Sequence, residues 1–180
     1  MTWIKKFARL KYVFIFLAVG VLSLTVISIL QIRLSDQGMP EILDLQYAFK
    51  YDQAFSQIDS YTEKGIALYT WLQAGDMIFL VGYGMFLASL SAFLVMKLFP
   101  DRPKLLWISA AGIGAACFDF LENIGIFTMI RVHPGPYKVL AAAVSAAGVI
   151  KMLLFYLCAA VCVISAVILA VKSIRKKQAD

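Results

Sequence analysis

MIFLVGYGMFLASLSAFLVM, residues 77–96, runs for 20 residues without a charge and is closed by Asp76 on one side and Lys97 on the other. A helix needs ~20 apolar residues to cross a hydrocarbon core about 30 Å thick, so this stretch by itself predicts a transmembrane helix. It lies inside a longer apolar block, from about Ile66 to Phe99, and three similar blocks run from about Tyr12 to Ile32, Leu105 to Ile130 and Tyr137 to Val171. The whole chain of 180 residues is 62% hydrophobic and 16% charged, with mean hydropathy +0.82. A soluble domain is roughly 45–50% apolar, so a soluble enzyme is excluded. The blocks are also too long and too continuous for the alternating strands of a membrane β-barrel. The expected fold is an all-α membrane protein, a four-transmembrane-helix bundle forming one domain over residues 1–180, with 33–65 as an extracytoplasmic loop containing a short helix.

Orientation follows from Lys and Arg, which are retained on the cytoplasmic side. Lys5, Lys6, Arg9 and Lys11 precede span one; Lys97, Arg102 and Lys104 join spans two and three; Lys172, Arg175, Lys176 and Lys177 follow span four. The opposite side carries Arg33, Lys50, Lys64, Arg131 and Lys138, together with the loop acids Asp36, Glu41, Asp44, Asp52, Asp59 and Glu63. Both termini are therefore expected in the cytoplasm, in a multi-pass protein of the bacterial cytoplasmic (inner) membrane. The net charge of +6 and pI near 9.3 follow from this topology and from attraction to anionic lipid, so no nucleic-acid partner is expected. The first block reads as an uncleaved anchor, because it exceeds a signal-peptide core of ~7–15 residues and leaves through Gln31, Ile32 and Arg33 without a small-x-small cleavage pattern. Cys117, Cys158 and Cys162 lie within spans and read as packing residues. His133 is the only histidine and falls in a tight loop, so no two-histidine metal motif exists; no cofactor or catalytic signature is found either.

Counting outward from the cytoplasmic cations places several charges at one level. Asp76 and Lys151 each end a 20-residue uncharged stretch, and span three, counted from Leu105, meets Asp119 and Glu122 after about 15 and 18 residues. At 1.5 Å per residue all four stand ~22–31 Å above the cytoplasmic boundary. The helical pattern continues past that level, so the helices are expected to project outward beneath a small cap. The first loop supplies its roof, with Asp52 capping a short helix that carries Phe55, Ile58 and Tyr61 or Thr62, and Gly65 ending it. Small residues, Ala110 to Ala116 in span three and Ala141 to Gly148 in span four, are expected to let these two spans pack closely on each other.

Three polar stripes share the level of those charges. Span two offers Tyr69, Gln73, Asp76 and Tyr83; span three offers Asp119, Glu122 and Asn123; span four offers Ser145, Gly148 and Lys151. Charges facing acyl chains are costly, at least ~2.5–3.5 kcal/mol each at mid-bilayer, so convergence on one another is the cheaper arrangement. The candidate ligand-binding or proton-binding residues are thus Asp76, Asp119, Glu122, Asn123 and Lys151, with Tyr69 and Tyr83 counted alongside although aromatics there ordinarily pack. Three acids face one lysine, and a protonated carboxylic acid beside an ionised one would form an acid–base pair. The expected partner is a membrane lipid or a hydrophobic, isoprenoid-like small molecule. The alternatives are a structural or accessory subunit with a partner membrane protein, and a proton-coupled transporter acting as a homodimer. Below the cluster the spans offer few polar residues, which favours a cavity open on one side over a through-pathway.

The Gly65 and Tyr69 loop end, the Asp76, Phe79, Tyr83 stripe, the run Asp119-Phe-Leu-Glu-Asn123, and Ser145 followed by Lys151 together resemble a group of small bacterial four-span membrane proteins. That group has no assigned activity, so the resemblance implies a four-span fold and nothing about chemistry.

Overall fold

The computed structural model describes residues 2–39, 42–135 and 137–179. It is 87% helix, with no strand among the described residues. A short α1 (Thr2–Phe7) precedes α2 (Leu10–Asp36); α3 (Tyr51–Asp59) is followed by α4 (Glu63–Leu98), α5 (Ala110–Val132) and α6 (Lys138–Ala179). Short 3-10 helices occupy Leu43–Leu45 and Pro103–Ser109. Four helical stretches are long and apolar enough to cross a membrane: α2, α4, the run Pro103–Val132 and α6.

The helices extend beyond the apolar blocks that announce them. At 1.5 Å per residue, the 36 residues of α4 and 42 of α6 reach about 54 and 63 Å, roughly twice a hydrocarbon core. The connection between α2 and α4 is correspondingly shorter than residues 33–65, since α2 holds Arg33 in its last turn and α4 begins at Glu63. Gly38 stops α2 with φ 68°, a conformation open to glycine at little cost, and the amides of Gly38 and Met39 return to Ser35 O and Leu34 O at 2.9 and 3.2 Å. Span three does not start as α-helix at Leu105, because Pro103 leads a 3-10 segment as far as Ser109.

The loop helix forms, with different ends from those expected. Lys50 is its N-cap residue, its amide donating to Gln53 Oε1 at 3.0 Å, so Asp52 sits inside the first turn instead of capping it. Gly65 does not end this helix, which closes at Ser60; it lies in the first turn of α4, where Thr62 is the N-cap and accepts from its amide at 3.0 Å. A side chain at Gly65 would collide with Met39. Glu41, one of the loop acids, lies outside the described residues.

α4 is the core helix: 61% of its most apolar 18-residue window is buried, against 17% for α2 and for α6. α2 packs along α4; α6 packs on α4 and α5; α2 and α6 make no extended contact with each other. The α2–α4 crossing is set by Gly20 and Gly82, where a Cβ at 82 would stand 2.7 Å from the Gly20 amide nitrogen. Spans three and four pack on each other as expected, and the small residues of α5 serve α4 as well. Gly112 and Ala116 meet Gly84 and Ala88 of α4, and a Cβ on Gly112 would come within 2.9 Å of Gly84 O. α6 meets α5 through larger groups set against glycines: Val144 on Gly125 and Leu154 on Gly114. Small faces let backbones approach and gain dispersion contact, and α5 turns glycines to both of its neighbours.

At the end of the bundle away from the termini, the roof segment buries Ile42, Leu43, Phe49, Ala54, Ile58 and Tyr61 against Tyr69, Leu72, Ile126, Met129 and Val144. Phe55 stacks 4.7 Å from His133, whose Nδ1 bonds Tyr137 Oη at 2.9 Å and whose Nε2 meets Asp59 at 3.3 Å. The lone histidine thus joins the roof to the α5–α6 turn. Cys158 and Cys162 are buried against α4, where Cys158 Sγ reaches Leu87 O at 3.7 Å.

Candidate functional site

The three polar stripes meet on facing sides of α4, α5 and α6. Asp119, Glu122 and Asn123 occupy one face of α5 at i, i+3 and i+4, and are 6%, 1% and 1% exposed. From α6, Lys151 Nζ reaches Asp119 Oδ1 at 3.2 Å and pairs with Glu122 Oε2. From α4, Tyr83 donates its hydroxyl to the other Asp119 oxygen at 2.8 Å, and Asp76 accepts from Asn123 Nδ2 at 2.5 Å. Gln73, one turn above Asp76, donates to the Asn123 carbonyl at 3.3 Å. Six of the seven candidate residues therefore fall in two adjoining bonded groups on one face of α5, Tyr83–Asp119–Lys151–Glu122 and Asp76–Asn123.

Gly148 admits this cluster. A Cβ at that position would fall on Glu122 Oε1 and lie 3.1 Å from Cδ. The glycine at the middle of the α6 polar stripe is thus the space in which the Glu122 carboxylate sits.

The seventh candidate, Tyr69, is fully buried and turns to the roof, donating to Asp44 Oδ1 at 2.7 Å. Asp44 is the residue that sequence reasoning missed. It was visible only as one of several loop acids, and nothing local distinguishes it, because its role depends on the 3-10 turn Leu43–Leu45 descending onto α4. Burial pushes the Asp44 carboxyl above the usual value of 3.8, and the Tyr69 hydrogen bond offsets part of that rise. The roof is fastened to α6 as well: the Phe49 amide donates to Ser145 Oγ at 3.0 Å, and the Tyr47 and Tyr156 hydroxyls bond each other. Tyr156 lies 15 residues from Val171, so Tyr47 reaches down about 22 Å above the end of the apolar block rather than lying over the bundle top.

The charges do not balance. Lys151 is paired with Asp119 and Glu122, whereas Asp76 and Asp44 pair with no cation among the described residues. Asn123 Oδ1 is buried without a hydrogen-bond partner. Among the described residues, no group of three or more His, Cys, Asp or Glu is placed to hold a metal ion.

Asp76, Tyr83 and Lys151 keep partial exposure. On α4, Phe79 and Tyr83 fall between the stripe meeting α2, at Gly75 and Gly82, and the stripe meeting α6, at Leu87 and Ser91. The Tyr83 ring stands 5.1 Å from Phe79 and 5.9 Å from Phe155 of α6. An aromatic seam therefore runs between α2 and α6, where those helices make no extended contact, and Tyr83 links it to Asp119. A separate apolar groove of about 480 Å³ lies between α4 and α5, lined by Leu80, Gly84, Ala116 and Phe120 among others.

The fold and the cluster define a protein, all-helical among the described residues, with four membrane-length helices, three of which enclose a buried acidic site. The chain matches no protein-family model, and no curated protein or solved structure is similar to it.

Proposed function

We propose that this protein resides in the bacterial cytoplasmic membrane with both termini in the cytoplasm, and that its acidic site binds the polar end of a membrane amphiphile, a lipid or isoprenoid-like molecule. The observation that carries this reading is the direction in which the cluster remains accessible. The roof covers it at Asp44 and Ser145 and sends Tyr47 down to Tyr156 at the α6 edge of the aromatic seam, while Asp76, Tyr83 and Lys151 stay partly exposed beside that seam. A molecule with its chain in the membrane meets the site sideways through that seam, with rings to pack on and polar groups at one depth. Binding is the minimal activity.

The accessory-subunit reading draws on a different observation, the number of internal bonds in the cluster, which join α4, α5 and α6 without any ligand. The transporter reading has less support. On the terminus side of Tyr83 the α4–α6 contact is made by Leu87, Leu94, Cys158 and Cys162 with Ser91 among them, a mainly apolar path.

Mass spectrometry of the organic extract from gently purified protein tests the proposal. A stoichiometric amphiphile is expected with wild type and is expected to be lost from a folded Glu122→Gln, Asp119→Asn variant. Identical extracts from both would sink the binding reading in favour of a structural joint. Cysteine accessibility at Ser60→Cys and Lys177→Cys, in intact cells and inverted vesicles, tests the orientation; labelling of position 177 from outside would overturn it.

A further inference from the structure

We infer that the polar end taken up by this site is a cation, a protonated amine on an apolar chain, and not a phosphate or another anion. The inference rests on the amphiphile-binding reading and deepens it by naming the headgroup chemistry. It follows from which hydrogen-bonding capacity is already used. Each donor group in the cluster already bonds an internal acceptor: Tyr83 and Lys151 at Asp119, Lys151 also at Glu122, Asn123 Nδ2 at Asp76, Gln73 at the Asn123 carbonyl, Tyr69 at Asp44. The buried amide atom with no partner is an acceptor, and the acids outnumber the one lysine. Asn123 Oδ1 is buried and unpartnered on a side chain 1% exposed, and the Asp76 and Asp44 carboxylates have hydrogen bonds but no cation.

A phosphate arriving here meets the carboxylates of Asp76, Asp119 and Glu122, and the one lysine, Lys151, is already shared between two of them, so like charges in a poorly hydrated site repel it. A protonated amine brings up to three N–H donors and the charge that the site lacks. Asp76 and the unpartnered Asn123 oxygen belong to adjoining groups, since the same amide already bonds Asp76. The aromatic seam adds a second reason for an amine on a chain over a small hydrated cation. Phe79, Tyr83 and Phe155 offer ring faces beside the carboxylates, which attract a cation and pack its apolar part together.

The test uses the full-length protein in a neutral mild detergent at about pH 7, where an alkylamine is protonated. Thermal unfolding is followed with dodecylamine, dodecanol, dodecyl phosphate and methylammonium chloride at equal concentrations. Dodecylamine is expected to raise Tm by roughly 5 °C near saturation, and to bind Asp76→Asn at least about tenfold more weakly, the loss of one charge-assisted contact. Should Asp76→Asn fail to fold, Phe79→Leu, which removes a seam ring one turn from Asp76, serves in its place and is expected to weaken binding of dodecylamine more than of dodecanol. If dodecanol or dodecyl phosphate stabilises as well as dodecylamine, the cation assignment is overturned while the amphiphile site stands. Methylammonium matching dodecylamine would overturn the amphiphile itself in favour of a free cation. No response to any of the four would overturn both.

Discussion

Glu122 of α5 occupies the space that Gly148 of α6 leaves open, so the deepest carboxylate in the bundle is placed by the absence of a side chain on the neighbouring helix. Two helices cooperate in one contact, and the cooperation can be broken from the side that carries no charge. Gly148→Ala should displace the carboxylate from Lys151 and lower stability by ~1–3 kcal/mol, the usual cost of overpacking. Gly114→Ala makes the control, since its Cβ would meet only Leu154 Cδ1 at 3.1 Å, the end of a flexible side chain. Thermal unfolding of the two variants side by side reads the difference; equal Tm values would refute the placement.

Lys151 is the one cation shared by Asp119 and Glu122, and its side chain is 13% exposed. Lys151→Met should therefore leave two buried acids unpaired and cost ~3–5 kcal/mol. Adding Asp119→Asn and Glu122→Gln to Lys151→Met should restore much of that loss, because the uncompensated charges go with it. A triple variant no more stable than Lys151→Met alone would mean that the charges are not what holds these helices.

Asp44 gives the roof a pH dependence whose sign is fixed by burial. Its carboxyl is held above the usual 3.8, so the folded protein binds the proton more tightly than the unfolded chain does. Stability from this group is therefore full at pH below about 4 and falls as pH rises through the folded value. Asn keeps an acceptor for the Tyr69 hydroxyl and removes the charge. Subtracting the Tm–pH curve of Asp44→Asn from that of wild type should leave a downward slope with rising pH; a flat or upward difference would contradict the assignment.

The α2–α4 crossing depends on backbone approach at Gly20 and Gly82. A Cβ at 82 would lie 2.7 Å from the Gly20 nitrogen and 2.8 Å from its Cα, both rigid atoms. Gly82→Ala should push α2 off α4 and cost ~1–3 kcal/mol, whereas Gly75→Ala, with its nearest contact at 3.7 Å, should be close to neutral. Crosslinking of a cysteine pair across the crossing should weaken in Gly82→Ala and persist in Gly75→Ala.

The sequence alone determined the four long apolar helices and the level at which Asp76, Asp119, Glu122, Asn123 and Lys151 meet. Hydropathy and the 3.6-residue period are local properties, and charges spaced i, i+3 and i+4 share a face whatever surrounds them. Only the tertiary structure decided which partner each group took. Tyr69 carries the same stripe as Asp76 yet bonds Asp44, because the roof descends onto α4 there. Gly112 and Ala116 look suited to α6 but pack on α4, while Gly114 and Gly125 of the same helix take up Leu154 and Val144 of α6. Helix spacing lists the groups available at a given depth; the pairing among them follows from crossing angles, loop descent and the spaces left by glycines, all of which are long-range.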